Sequence, residues 1–323
     1  MFALLFLFIA LACAYPNRGP CTGNCFAHDP GMIQRASDGK YFRFSTGNGI
    51  SIMTSNSLRG PWEADGVVLP DGTKIHLDGV DNKKDLWAPD VHYQDDTYYM
   101  YYVTSQIGTR NSQIGVATSK TMEKGSWTDH GAVGIPANDA YNRIDPNWIT
   151  INGKQYLNFG SFWNDLYQVE MESPLKIGSA TPHQIAFNET LNHREEAAFM
   201  FQHGDFYYLT YSSGLAGGYT ADYPATGAEY EIKVCRSKTG TGEFVDKEGT
   251  SCQKSGGSNL LSSHGQVYAP GGQGVIQDQH LGPVLYYHYY PLNKKNENKQ
   301  PDTSGYAYGW NELAWENGWP VVK

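Results

Sequence analysis

Five short runs of aromatic and β-branched residues recur along this 323-residue chain, and they restrict its fold more than any other feature. They are KYFRFST from Lys40, TYYMYYVTS from Thr97, QYLNFGSF from Gln155, FYYLTYSSG from Phe206 and VLYYHYY from Val284. Such side chains suit a pleated, half-buried surface, so each run reads as a strand. Their central aromatics are Phe42, Tyr99, Tyr156, Tyr207 and Tyr286. Four runs follow a tight-turn pair: Asp38-Gly39, Asp95-Asp96, Asn152-Gly153 and His203-Gly204. Before every turn stands a shorter apolar run, MIQ, VHY, WIT, FMF or GVI, so each unit opens with a β-hairpin. A third strand follows. GISIMTSNSLRGPWEADG from Gly49 matches IGVATSKTMEKGSWTDHG from Ile114, with looser copies in EIKVCRSKTGTGEFVDKEG and LYQVEMESPLKIG. Units of roughly 40–65 residues with three or four antiparallel strands are propeller blades. The sequence therefore predicts an all-β, five-bladed β-propeller. A two-sheet sandwich supplies no reason for a five-fold register. Inserts at 214–230 in blade four and 293–305 in blade five are expected as surface loops near one rim.

The formal net charge of −9 lacks the basic footprint of a nucleic-acid binder. After the first twenty residues no apolar run reaches the ~18 needed to span a bilayer, so no membrane partner is expected. Residues 1–14, MFALLFLFIALACA, are a short apolar core ending in Ala12-Cys13-Ala14, a small-x-small cleavage pattern. They read as a signal peptide, leaving 15–323 as one secreted, extracellular catalytic domain, expected to be monomeric. Cleavage would leave Cys21, Cys25, Cys235 and Cys252, and an even count in an exported chain favours disulfides. Three pairings are possible. Local pairing, Cys21 with Cys25 and Cys235 with Cys252, is the expectation. Asn188-Glu189-Thr190 is a sequon, which makes Asn188 the candidate glycosylation site.

Aligning the blades on their first strands gives the slots Asp29-Pro30, Ala88-Pro89, Asp145-Pro146, Glu196-Ala197 and Ala269-Pro270. First strands line the central channel, so this register places Asp29, Asp145 and Glu196 around one mouth. Aspartate is normally depleted in strands. Asp-Pro is also a common turn dipeptide, but a turn does not account for an acid in the EAAFMF run. Converging carboxylates raise one another's proton affinity, giving a protonated acid beside ionised bases. Glycoside hydrolysis uses that combination, with inversion when water fits between acid and base. Trp87, Trp148, Phe162 and Trp163 are candidates to stack on a sugar ring, and His28 and Arg143 are candidates to tune the neighbouring acids.

These stretches resemble the secreted endo-1,5-α-L-arabinanases of glycoside hydrolase family 43. The resemblance rests on CTGNCFAHDPGMIQR, DGKYFRFSTGNGI, DLWAPDV, GVATSKTMEKGSWTDHG, YNRIDPNW, NFGSFW, HREEAAFMF, GAEYEIKVCRS, HGQVYAPGGQGV and LGPVLYYHYY, in order along the chain. It implies a five-bladed propeller, arabinan as substrate, Asp29 as general base, Glu196 as general acid, and Asp145 as the residue that orients that acid and raises its pKa. It further implies substrate contacts from His28, Trp87 and Gly108, from Asn142, Arg143, Ile144 and Asn147 of YNRIDPN, and from Gly160, Ser161 and Phe162. Similar enzymes often hold calcium or another ion in the channel beside a histidine of a PGH segment. This chain has Pro270-Gly271-Gly272-Gln273 there, with His264 nearby as a substitute. No cofactor is expected to be required, and a channel ion such as calcium or sodium is the one the resemblance allows. The resemblance leaves exo-arabinanase, α-L-arabinofuranosidase and β-xylosidase as alternative activities on the same scaffold. Five-bladed fructan enzymes use RDP and EC motifs, against RID and EEA here. A non-catalytic arabinan-binding propeller is the alternative of another class.

Overall fold

The computed structural model describes residues 15–190, 192–217, 224–292 and 305–323. The expected signal peptide at 1–14 lies outside the described residues, as do 218–223 and 293–304 of the two inserts. Among the described residues all regular structure is β, in five antiparallel sheets. Blade one comprises Gly31–Gln34, Tyr41–Ser45, Ser51–Ser55 and Glu63–Val67. Blade two comprises Asp85–Gln94, Thr97–Ser105, Ser112–Ser119 and Thr128–Ala132, with Gly47–Asn48 added along its first strand. In blade three, Asn147–Ile151, Lys154–Phe159 and Leu166–Ser173 are completed by Lys176–Ile177 and His183–Ala186. Blade four comprises Glu195–His203, Phe206–Ser213, Glu231–Ser237 and Ser258–Leu261, and blade five Val267–Asp278, Gly282–Pro291, Ala307–Glu316 and Trp319–Val322. No helix among these residues is long and apolar enough to cross a membrane.

The first strands of successive blades touch one another, and the first strand of blade five touches that of blade one, so the five sheets close into a ring. Between blades lie apolar layers. Phe44, Ile52, Met100 and Tyr102 fill one, and Val103, Ile114, Leu157 and Phe159 another. Closure between blades five and one uses Met32, Tyr41, Trp62, Tyr286 and Trp310. The segment from Tyr15 to Ala27 straps this junction. Gly19 N–H donates to Trp310 O, Cys25 O accepts from Tyr308 N–H, and Gly23 bridges to Trp62 of blade one. Both local disulfides form. Cys21–Cys25 lies in the strap, and Cys235–Cys252 ties the third strand of blade four to the loop beyond it, buried against Ile185 and Phe244.

One backbone device repeats at the start of every blade. Asp29, Ala88, Asp145, Ala197 and Ala269 all carry φ between 43° and 55°. A left-handed non-glycine residue costs of order 1–3 kcal/mol, so five at one structural position mark a constrained ring. In blades two, four and five the ladder register shifts here, between Trp87 and Asp90, Glu196 and Phe199, and Tyr268 and Gly271.

This device corrects the register read from sequence. The equivalent of Asp29 and Asp145 in blade four is Ala197, not Glu196. Glu196 stands one residue earlier, in line with His28, Trp87, Ile144 and Tyr268. The second strand slips likewise. Phe42, Tyr99 and Tyr156 pair with Ile33, His92 and Ile149, whereas the matching pair in blade four is Tyr208 with Phe201, so Tyr207 is out of phase. Blade four lacks the proline that punctuates the other four slots, so nothing in its sequence pins the phase.

Candidate active site

The repeated left-handed residue explains how neighbours in sequence reach one opening. In a regular strand, successive side chains point to opposite faces. Here His28 and Asp29 line the same recess, as do Ile144 and Asp145. That recess, about 440 Å³, also takes Glu196, Trp87, Ile107, Tyr230, His288 and Tyr306. A second recess of about 530 Å³ shares Trp87, Ile107, Ile144, Ala216 and Glu196 with it and adds Gly108, Asn142, Ser161, Phe162 and Trp163. The three acids expected from sequence therefore converge, from three blades, on one elongated cleft. Glu196 arrives by a different register from the one expected, and Glu195 turns inward, 2% exposed.

The acids have different surroundings. Asp29 Oδ2 accepts from Thr46 Oγ1 at 3.0 Å and lies 3.4 Å from His28 Nε2. Asp29 Oδ1 lies 3.2 Å from His288 Nδ1. His288 Nδ1 also accepts the Asp29 backbone N–H at 3.1 Å. Burial alone would raise the Asp29 pKa, but His28 above all, when it carries its proton, then His288 and the Thr46 hydroxyl hold it well below the usual carboxylate range, while burial lowers the proton affinity of His28 itself. Asp145 Oδ2 accepts the Ala197 backbone N–H at 2.9 Å, fixing the chain directly after Glu196. Burial, then the charges of Glu196 and Asp29, push Asp145 well up. Glu196 Oε2 accepts from Ser161 Oγ at 2.6 Å and Oε1 from Tyr230 OH at 2.8 Å. Burial raises Glu196 too, against those two hydrogen bonds. One side of the mouth thus holds a carboxyl whose proton affinity is pushed down and the other a pair pushed up.

Several expected contacts lie elsewhere. Arg143 is buried in the segment that joins blades two and three, where Nη1 donates to Ile135 O, and it does not line the cleft. Asn147 is a structural clamp behind the cleft, its Oδ1 accepting from Asn158 Nδ2 and Met200 N–H. Gly160 serves the turn, because a Cβ there would come 2.2 Å from Asp165 O. Trp148 packs against His92, Tyr99 and Tyr101 instead of sugar. Asn188 is buried, with Nδ2 donating to Glu195 Oε1 and Oδ1 accepting from Thr190, so the folded chain does not present it as a glycan acceptor. His28, Trp87, Gly108, Asn142, Ile144, Ser161 and Phe162 do line the cleft. Thr46, Tyr230, His288 and Tyr306 were not foreseen. The signal for His288 was available as the only polar residue in the run VLYYHYY.

His264 does not substitute for a channel histidine. Its ring nitrogens face Ser262 O and Pro16 O beside Tyr15. Gln273 turns its amide into protein contacts with Ser212 Oγ and Ala197 O. Asp90 Oδ2, at the channel wall, accepts from Trp148 N–H and pairs with His92. Among the described residues one group of three potential ligands lies within 4.8 Å: His28, Asp29 and His288. Calcium demands six to eight oxygen ligands. Two imidazoles and one already bonded carboxylate do not fit calcium or sodium.

Known proteins of similar sequence and shape point the same way. A protein of Aspergillus fumigatus named "Probable arabinan endo-1,5-alpha-L-arabinosidase C" is 58% identical over 329 residues, covering 100% of this chain and 99% of the relative. Its namesake in Aspergillus niger is 53% identical over 321 residues, covering 99% and 98%. Among solved structures, an exo-1,5-alpha-L-arabinanase from a bovine ruminal metagenomic library superposes with a TM-score of 0.78 at 28% identity, over 95% of this chain and 100% of that one. The Cellvibrio cellulosa alpha-L-arabinanase complexed with arabinohexaose gives 0.77 at 27%, over 92% and 95%. The sequence model of the glycosyl hydrolases family 43 matches residues 21–320, and the chain belongs to that family.

Proposed function

We propose that this chain is an endo-acting glycoside hydrolase that cleaves internal α-1,5-L-arabinofuranosidic bonds of arabinan with inversion at the anomeric carbon. The observation that carries the proposal is the asymmetry of the cleft, where Asp29 is held ionised while Asp145 and Glu196 are held toward their protonated forms. An inverting hydrolase needs a base that is already a carboxylate and an acid that still has its proton. In the proposed step, Glu196 gives its proton to the glycosidic oxygen as the bond from that oxygen to the anomeric carbon breaks. Water adds to the opposite face of the ring, and Asp29 takes the proton it releases. Asp145 holds the backbone N–H of Ala197 and so orients the chain at Glu196. Trp87, Phe162 and Trp163 along the cleft offer flat apolar surface for sugar rings. The two disulfides support export to an oxidising compartment.

The test is reducing-end release from debranched arabinan, xylan and levan. Release from arabinan alone is expected, as a mixture of oligomers whose newly formed anomeric centre is inverted in early proton NMR spectra. A single released product would make the enzyme exo-acting. Binding without any release would reduce it to a sugar-binding propeller.

A further inference from the structure

The carboxyl of Glu196 is held by two hydroxyls that no sequence reading singled out as a pair. Ser161 meets Oε2 and Tyr230 meets Oε1. Ser161 comes from the loop after the second strand of blade three. Tyr230 is the last residue of the blade-four insert, buried where a surface loop was expected, immediately before the strand Glu231–Ser237. Its ring is 3% exposed and fits against blade five only because residue 271 is glycine, since a Cβ there would lie 2.0 Å from the ring.

The Tyr230 ring and Ser212 Oγ both crowd Gly271, and Ser212, which stands opposite Glu196 in the ladder, is within the electrostatic reach of the Tyr230 hydroxyl. Ser212 Oγ accepts from Gly272 N–H at 3.0 Å and donates to Gln273 Oε1 at 2.8 Å. Gln273 Nε2 then donates to Ala197 O at 2.7 Å, one residue from the acid where the path began. We infer that Tyr230 is a positioning residue for Glu196, and that Ser212 and Gln273 form with it a closed relay between blades four and five. This inference rests on the reading of Glu196 as the general acid.

The relay accommodates both protonation states without moving a heavy atom. When Glu196 is ionised, Tyr230 donates to it. When Oε1 carries the proton, Glu196 donates to the Tyr230 oxygen and the tyrosine hydroxyl turns to Ser212 Oγ. The Ser212 proton already points to Gln273, whose amide orientation is fixed by the Ala197 carbonyl. Every hydroxyl then has one donor and one acceptor role filled, which is the condition for a polar network to stabilise a buried group. The other ionisable groups around the acid are His28 and Asp29 of blade one, Asp145 of blade three, His288 of blade five, and Asp165 and Glu195 behind it. None of these belongs to the relay, so removing a relay hydroxyl leaves their charges in place.

The experiment follows the side-chain carboxyl of Glu196 by carbon-13 NMR, with the signal assigned by its loss in Glu196→Gln. Tyr230→Phe removes a donor to the ionised form, so the titration midpoint is expected to rise by about one pH unit. The alkaline limb of kcat/KM on arabinan should move up with it, since the acid must be protonated to work. Ser212→Ala removes the acceptor that Tyr230 uses only when Glu196 is protonated, so it should move both in the opposite direction, downward, and by less. An unchanged midpoint in Tyr230→Phe overturns the positioning role, and an unchanged midpoint in Ser212→Ala overturns the relay. Should Tyr230→Phe not fold, Ser212→Ala decides alone. The NMR midpoint is independent of substrate, so absence of arabinan cleavage by the unaltered chain would sink the functional reading and leave this measurement standing.

Discussion

The two sides of the cleft mouth are built from the same residue types and behave oppositely. On the blade-one side Asp29 is ringed by His28, His288 and the Thr46 hydroxyl. On the other side Asp145 and Glu196 lie half-buried in the cleft wall, with hydroxyls and one backbone N–H as their partners. Burial acts upward on all three. Only Asp29 has enough positive charge and donated hydrogen bonds to reverse it. Base and acid are therefore distinguished by what faces them. Blade five serves both sides with adjacent glycines. Gly271 admits the ring of Tyr230 to the acid, and at Gly272 a Cβ would come 2.7 Å from Asp29 Oδ1.

The largest expected effect comes from removing either end of the proton path. Glu196→Gln and Asp29→Asn keep size and lose proton transfer, and each should lower kcat by about 10²–10⁴-fold. The measurement is initial rate on debranched arabinan, with circular dichroism to establish the fold. Near-normal turnover in either variant would remove that residue from the mechanism.

A smaller effect separates the two sides. Burial lowers the proton affinity of His28, so its charge is present on the acid side of the profile, where it does most to hold Asp29 down, and His28→Ala deletes it. The pKa of Asp29 then rises, and a base must be ionised to act, so the acid limb of kcat/KM should move to higher pH by about one unit, with the alkaline limb less affected. A shift confined to the alkaline limb would reverse the assignment of base and acid.

How much of this was legible in the sequence depends on punctuation. The hairpins of blades two and three were readable because Asp95-Asp96 and Asn152-Gly153 supply the paired positive φ that a tight hairpin needs. Asp29 and Asp145 were readable because each precedes a proline. Glu196, which lines the cleft while Glu195 is buried, was chosen by a register one residue out, because Ala197-Ala198 carries no such mark and FYYLTY offers aromatics in two phases. Arg143 and Asn147 stand close to Asp145 in sequence, yet the left-handed residue between them redirects the chain and both fall outside the cleft. His288 reaches Asp29 only because blade five closes on blade one, whereas Thr46 and Tyr230 meet their acids within blades one and four, from positions far enough along the chain that no local pattern encodes the contact. Asn188 satisfies a sequon by sequence while its amide is occupied by Glu195.

The smallest effect is in stability, and there the two sides should differ in sign. The folded-state pKa of Asp145 is raised, so its contribution to stability is fully present below the unfolded value, ~3.9, and is lost as pH rises through the folded value. Above that point the buried charge weighs against folding. Asp145→Asn keeps an oxygen for the Ala197 N–H and cannot ionise. It should melt near the unaltered protein at pH 4 and about 2–4 °C higher at pH 8 for each kcal/mol relieved. The folded-state pKa of Asp29 is depressed, so its contribution is present above the unfolded value and lost as pH falls through the folded one. Asp29→Asn should therefore melt below the unaltered protein at pH 8, with the gap narrowing toward pH 3. Scanning calorimetry of the two amide variants at these pH values reads both signs. If both variants shift the same way, the two sides of the mouth do not hold their protons differently, and the division of labour between Asp29 and the Asp145–Glu196 pair loses its electrostatic basis.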